Sequence, residues 1–167
     1  MKLSFSVFTV GLAALAAAPL LAAPPIAGAS APDFVLKSVA GNNIRLAEHR
    51  SDVVMLAFTA SWCSDCRRQD ELVADLHRRY RDAGLVVLAV SLDRDRRRAE
   101  AVASRVDADL PVLIDERGEA GRLYEVDELP TVVLIDRAGI VREVLHGERR
   151  GAGRTPEERI RTLLREL

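Results

Sequence analysis

The chain has 167 residues, 49% of them apolar, with 24 Lys and Arg against 25 Asp and Glu and a formal net charge of −1. That length suits one domain with a full core, and the balanced charge leaves no bulk basis for nucleic-acid binding. The chain has 2 cysteines, both in one short motif, which excludes a disulfide-built scaffold and a multi-cysteine zinc module.

Residues 1–29 stand apart. Lys2 precedes an almost wholly apolar run from Leu3 to Ala23, broken by Pro19, Pro24 and Pro25, and Ala27-Gly28-Ala29 offers a small-x-small site before Ser30. This is the pattern of a secretory signal peptide. The run is also long enough to span a bilayer, so an uncleaved membrane anchor stays open beside cleavage. No cysteine follows the run, which argues against a lipid anchor. Either reading puts the folded domain, 30–167, outside the cytoplasm, where a disulfide can persist.

From Ser30 onward the pattern predicts one α/β unit. Phe34-Val35-Leu36 and Ile44-Arg45-Leu46 flank Gly41-Asn42-Asn43 as two strands joined by a turn. Val53 to Phe58 reads as a buried strand, and a helix follows from Ser64 to about Asp82 with Leu72, Val73, Leu76 and Tyr80 at helical spacing. Gly84 stands where a helix C′ residue would. Leu85 to Leu92 is a continuous apolar run, expected as a central strand. A charged helix from about Arg94 to Val106 turns Ala99, Val102 and Val106 inward, and its start, Asp93 to Arg98, reads as a solvated run. Pro111 to Ile114 is a short strand and Glu119 to Tyr124 a short helix. Thr131 to Ile135 and Ile140 to Leu145 form a hairpin around Asp136–Gly139. Arg149, Arg150 and Arg154, interleaved with Gly, read as a mobile loop. Thr155, Pro156 and Glu158 then form a capping box with proline at the first helical position, opening a helix that buries Ile160, Leu163 and Leu164.

The chemistry lies in Trp62-Cys63-Ser64-Asp65-Cys66, at the junction of a strand and a helix. A bridge across so small a loop restrains little chain entropy, so it stabilises the fold modestly and suits a dithiol that opens and closes. At a helix N-terminus, unpaired amide hydrogens and the helix dipole favour a thiolate at Cys63, and the thiolate is the nucleophile in thiol–disulfide exchange.

The strand–CxxC–helix arrangement resembles the thioredoxin superfamily, and within it the extracytoplasmic TlpA/ResA-like branch of thiol–disulfide oxidoreductases. Three stretches carry the resemblance: Ala31-Pro32-Asp33-Phe34, Ser61-Trp62-Cys63 with Cys66-Arg67, and Tyr124 to Thr131 running into Val132-Val133-Leu134-Ile135-Asp136 and Gly139. It spans about residues 31 to 147 and includes a strand–helix insertion after Ala89. It implies a thioredoxin-like α/β fold, with a central mixed β-sheet flanked by helices and N-terminal strands. It also implies a cis proline at Pro130 lying against the redox-active disulfide Cys63–Cys66. Leu129, Pro130 and Thr131, with Trp62, Ser64 and Asp65, would then shape the substrate surface, Trp62 by packing against the motif.

The chain departs from the family at several positions. Ala57 stands six residues before Cys63, where thioredoxins carry a buried acid. Asp65 replaces a frequent proline, Gln69 a frequent Glu, and Glu71 a helix proline. A carboxylate at Asp65 disfavours a nearby thiolate, which points to a reducing couple; the competing reading is that Asp65 only favours the first helical turn. Arg67 and Arg68 could offset the charge in part.

The expectation is a protein-disulfide reductase in which Cys63 attacks, Cys66 resolves the mixed disulfide, and a membrane electron donor restores the dithiol. By resemblance, apocytochrome c or copper-site cysteines are plausible substrates. No cofactor, resident metal or nucleic acid is expected, and the protein is expected to be a monomer. Two other classes stay open. A copper carrier could use the CxxC with one of His49, His77 or His146, each otherwise read as a surface or boundary histidine. A thiol peroxidase is the third reading, although peroxiredoxins place Thr three residues before their cysteine and here Thr59 stands four before Cys63.

Overall fold

The computed structural model describes residues 27–106, 109–147 and 155–166. The expected leader and the Arg149–Arg154 loop lie mostly or wholly outside these residues. Among the described residues, no helix is long and apolar enough to cross a membrane.

Seven strands form one mixed sheet. They are β1 (Val35–Ser38), β2 (Asn43–Arg45), β3 (Val53–Thr59), β4 (Leu85–Ser91), β5 (Val112–Ile114), β6 (Thr131–Ile135) and β7 (Val141–His146), in the order β2-β1-β5-β4-β3-β6-β7. The pairs β3·β4 and β4·β5 are parallel and all others antiparallel. The helices are α1 (Cys66–Tyr80), α2 (Arg96–Ala103), α3 (Glu119–Leu123) and α4 (Pro156–Arg165). The expected strand–helix insertion after Ala89 is α2 with β5, which joins the parallel strands to the β1–β2 hairpin.

Strand β3 is buried at all seven positions, because both faces of the sheet are covered. Alternate residues point to opposite faces. Val53, Met55 and Ala57 meet Val73 and Leu76 of α1, Val102 of α2 and Ile160 of α4. Val54, Leu56 and Phe58 meet Phe34, Leu113 and Tyr124 on the other face. Tyr124 contacts Phe34 edge-on and Phe58 at a tilt, and its hydroxyl donates to the Pro32 carbonyl at 2.9 Å. The Ala31–Phe34 segment is thereby tied to the core.

Local signals and structure agree closely at two helix ends. Thr155 and Glu158 form the reciprocal capping box, and Gly84 takes a left-handed conformation, φ 94°, after a short 3-10 turn that extends α1. Two expectations change. Helix α2 begins at Arg96, with the Asp95 side chain accepting from the Arg97 amide, so Arg94 lies outside it. Leu72 is 40% exposed; the apolar stripe of α1 runs through Val73, Leu76 and Tyr80, and position 72 falls beyond its edge.

At the other end of the described chain, the Gly28 amide donates to the Val141 carbonyl at 2.7 Å, and the Val141 amide donates to the Ala29 carbonyl at 2.9 Å. These two residues extend the sheet edge beside β7.

Candidate active site

β3 runs out at Thr59, and the chain turns through Ala60, Ser61 and Trp62 before α1 begins at Cys66. Cys63 and Cys66 are joined by a disulfide. Cys66 is fully buried, whereas Cys63 keeps 8% of its surface. Cys63 is less open than a helix-end position suggests, yet of the two cysteines it is the one that solvent reaches. The Cys66 amide donates to Cys63 Sγ at 3.1 Å. An unpaired helix-start donor thus aims at the outer sulfur, where it lowers the cost of negative charge.

Across from the cysteines, the Leu129–Pro130 peptide bond is cis, and Leu129 packs against Ala60, Cys63 and Cys66. The loop is held from behind. Gly147 N–H donates to the Pro130 carbonyl at 2.7 Å, and the Thr131 hydroxyl donates to the Glu128 carbonyl at 2.7 Å while lying 3.2 Å from His146 Nδ1. Thr131 is buried at the start of β6, so it braces the loop and does not face outward.

An open groove of about 340 Å³ runs between the two loops. Trp62, Cys63, Ser64 and Asp65 form one wall, and Leu92 with Val126 to Leu129 forms the other. Trp62 stands at the rim of the groove, 64% exposed, and presents an apolar surface that can meet another molecule. Asp65 occupies the N-cap position with helical dihedrals and makes no side-chain capping bond. Asp65 is exposed and is one of three acidic residues lining the groove, with Asp127 and Glu128.

Two buried acids stand behind this surface, and sequence reasoning missed both. Asp93, 2% exposed, accepts from Ser61 N–H at 2.7 Å, from the Ser61 hydroxyl at 2.8 Å and from the Ser91 hydroxyl at 2.9 Å. The run Asp93–Arg98 is therefore solvated only from Arg94 onward. The available signal was the polar–apolar alternation Ser91-Leu92-Asp93 at the C-terminal end of a parallel strand, where sites in α/β folds gather. Asp70, 3% exposed on α1, lies 3.8 Å from Arg105 Nη1, and Arg105 Nη2 donates to the Ser61 carbonyl at 3.2 Å. Burial pushes the Asp70 pKa up, although the Thr59 hydroxyl and the Arg105 guanidinium both favour its charged form. Ala57 is apolar in fact as in sequence, packed in the core near Val73.

The histidines are not brought together. His146 touches Thr131, His49 is half-buried away from the cysteines, and His77, expected near the surface, is buried on α1. Among the described residues no group of three His, Cys, Asp or Glu side chains is placed to hold a metal ion.

Comparison with known proteins agrees with this geometry. The family model described as the AhpC/TSA family matches residues 27–144. A thiol-disulfide oxidoreductase ResA from Geobacillus kaustophilus is 34% identical over 120 residues, covering 72% of this chain and 69% of the relative. The thioredoxin-like protein YneN of Bacillus subtilis is 32% identical over 120 residues, covering 70% and 69%. A crystal structure from Chlorobium tepidum, described as a thiol:disulfide interchange protein DsbE, superposes with a TM-score of 0.76 at 34% identity, covering 83% of this chain and 98% of that one.

Proposed function

The chain belongs to the AhpC/TSA family and is a thiol–disulfide oxidoreductase of the ResA and DsbE type; we propose that it acts outside the cytoplasm as a reductant of protein disulfides. The observation that carries the reading is the unequal pair of sulfurs. Cys63 lines an open groove and its Sγ receives the Cys66 amide, while Cys66 is fully buried. In the reduced protein the Cys63 thiolate attacks a substrate disulfide, forming a mixed disulfide and releasing one substrate thiolate. Cys66, as thiolate, then attacks Cys63 Sγ, closing the internal disulfide and releasing the second substrate thiol. Two electrons pass from the dithiol to the substrate, so an outside donor must restore the dithiol. A membrane-side donor fits the leader-like N-terminus.

The direction rests on Asp65, whose uncapped carboxylate adds negative charge to the groove where the Cys63 thiolate forms and so favours a reducing couple. Trp62 and Leu129 form the docking surface, with Ser64 at its edge and the buried Pro130 and Thr131 bracing it from behind. Apocytochrome c or copper-site cysteines are the substrates the family resemblance suggests, met by a monomer.

The test is the reduction potential of Cys63–Cys66 together with trapping by Cys66→Ser. A potential of about −270 mV supports a reductant, and one of about −120 mV makes the protein an oxidant. The trapping variant should accumulate mixed disulfides through Cys63; a variant that captures no thiol partner counts against the mechanism.

A further inference from the structure

The resolving step contains a chemical demand that the cysteines do not meet alone. Cys66 is fully buried, and burial in apolar surroundings disfavours a thiolate. Yet Cys66 must lose its proton before it can attack Cys63 Sγ. Something beside it has to take that proton.

The geometry points to Asp70 as the group that accepts the Cys66 proton during resolution of the mixed disulfide. The inference rests on the thiol–disulfide reading above and deepens it. Cys66 opens α1 and Asp70 follows four residues later. Residues at this spacing share one helix face with Cβ atoms about 5–6 Å apart, and helical side chains lean towards the N-terminus, which carries the Asp70 carboxylate towards Cys66.

The surroundings of Asp70 are unlike those of a structural acid. A buried carboxylate is ordinarily held by several hydrogen bonds, as Asp93 is. Asp70 Oδ2, although buried, has no hydrogen-bond partner among the described residues. Its nearest cation, Arg105 Nη1 at 3.8 Å, is beyond hydrogen-bond distance and Nη1 is itself without a partner. The charged and polar groups around it are Arg105 after α2 and Thr59 at the end of β3, which favour the carboxylate, and Glu71 on its own helix, which with burial raises the proton affinity of Asp70 above that of an ordinary carboxylate. A site that holds a carboxylate loosely and can accept a proton is what the step requires. Arg105 also reaches the Ser61 carbonyl, so this acid is coupled to the loop that carries Cys63.

The step balances. Cys66–SH and Asp70–COO⁻ become Cys66–S⁻ and Asp70–COOH; the Cys66–S⁻ pair forms the new S–S bond with Cys63 as the Cys63–substrate S–S bond breaks. The substrate leaves as thiolate, and Asp70 returns its proton to solvent. In the reverse direction Asp70 supplies the proton that Cys66 takes up.

The test uses the reduced full chain and the chromogenic disulfide 5,5′-dithiobis(2-nitrobenzoate). Attack by Cys63 releases a first thionitrobenzoate, and resolution by Cys66 releases a second, so the two steps separate in time. Asp70→Asn should leave the first phase intact. Its second phase should be about 10²-fold slower at pH 7, the scale of a lost proton acceptor, and should climb about tenfold per pH unit as hydroxide takes over. Asp70→Glu should recover part of the rate. A second phase in Asp70→Asn that is unchanged or faster overturns the inference, because an acid that acts only by its charge would raise the Cys66 pKa and its removal would speed resolution. If the unaltered protein gives no second phase at all, the oxidoreductase mechanism itself fails, and Asp70 is not at issue.

Discussion

Asp93, just past the end of β4, closes on Ser61 with both carboxylate oxygens, Oδ2 on the amide at 2.7 Å and Oδ1 on the hydroxyl at 2.8 Å. Ser61 stands two residues before Cys63, so the outer sulfur is located by a contact that crosses 32 positions of sequence. The neighbouring strand thereby fixes a loop that would otherwise hang from the end of β3 alone. Hydrogen bonds to an ionised group are among the stronger ones, which suits a loop that must hold its place while the disulfide opens.

Asp93→Asn and Asp93→Ala should therefore behave differently. In the Asn variant Oδ1 can take the Ser61 amide and the Ser91 hydroxyl, while its NH₂ donates to the Ser61 hydroxyl oxygen, so stability should stay within about 1 kcal/mol of the original. The Ala variant strands those donors and should lose about 3 kcal/mol, with altered alkylation of Cys63. Denaturant unfolding and iodoacetamide kinetics on the reduced protein check both. Equal losses in the two variants would mean that charge, rather than the pattern of donors, holds the loop.

Asp65→Asn tests the tuning of the couple. Asp65 is exposed, lines the groove and makes no capping bond, and its neutralisation takes away like charge near the forming thiolate. The Cys63 thiolate should form more readily at low salt, and the reduction potential should rise by roughly 10–30 mV. The effect should shrink as ionic strength increases. An unchanged potential in redox-buffer titration would remove Asp65 from the argument for direction.

The two acids behind the site show where sequence reading stops. The CxxC at a strand–helix junction, the Leu129-Pro130-Thr131 segment and the Thr155 capping box are local patterns with local causes, and each can be read within a few residues. Asp93 opens a charged run and Asp70 sits between Gln69 and Glu71, and in one dimension both look solvated. Their burial follows from packing across the sheet: β4 lies beside β3 in parallel register, Ser91 opposite Thr59, which brings Asp93 under the Ser61 loop. Trp62 is the converse. A large aromatic beside the motif reads as packing, and its 64% exposure at the rim shows only once the turn is folded.

Gly28 and Ala29 offer a simpler test. Each makes one backbone hydrogen bond to Val141 at the open edge of the sheet. A chain that begins at Ser30 loses both, and one that begins at Ala27 keeps them. At roughly 0.5–1.5 kcal/mol for each bond, the shorter chain should be less stable by about 1–3 kcal/mol, read as a lower midpoint in thermal or denaturant unfolding. Identical midpoints would show that the edge contact is too solvated to matter.

The raised pKa of Asp70 has a consequence for stability whose sign can be worked out. Below the ordinary value of 3.8, folded and unfolded chains both carry the protonated acid, and it has no effect on the balance. As pH rises above that value the unfolded chain releases the proton first, because burial makes the folded acid hold its proton more tightly. The unfolded state then binds fewer protons, and stability falls with pH until the folded acid has ionised too. Above that point the penalty is constant. Asp70→Asn has no proton to lose, so the stability difference between variant and original should be smallest at and below the ordinary carboxylate pKa and should grow in the variant's favour as pH rises above it, levelling once the folded acid has ionised. Denaturant unfolding of the oxidised proteins across this range measures the difference directly. A difference that stays flat with pH would mean that Arg105 and Thr59 hold the carboxylate charged throughout, leaving Asp70 no proton affinity to spend on Cys66.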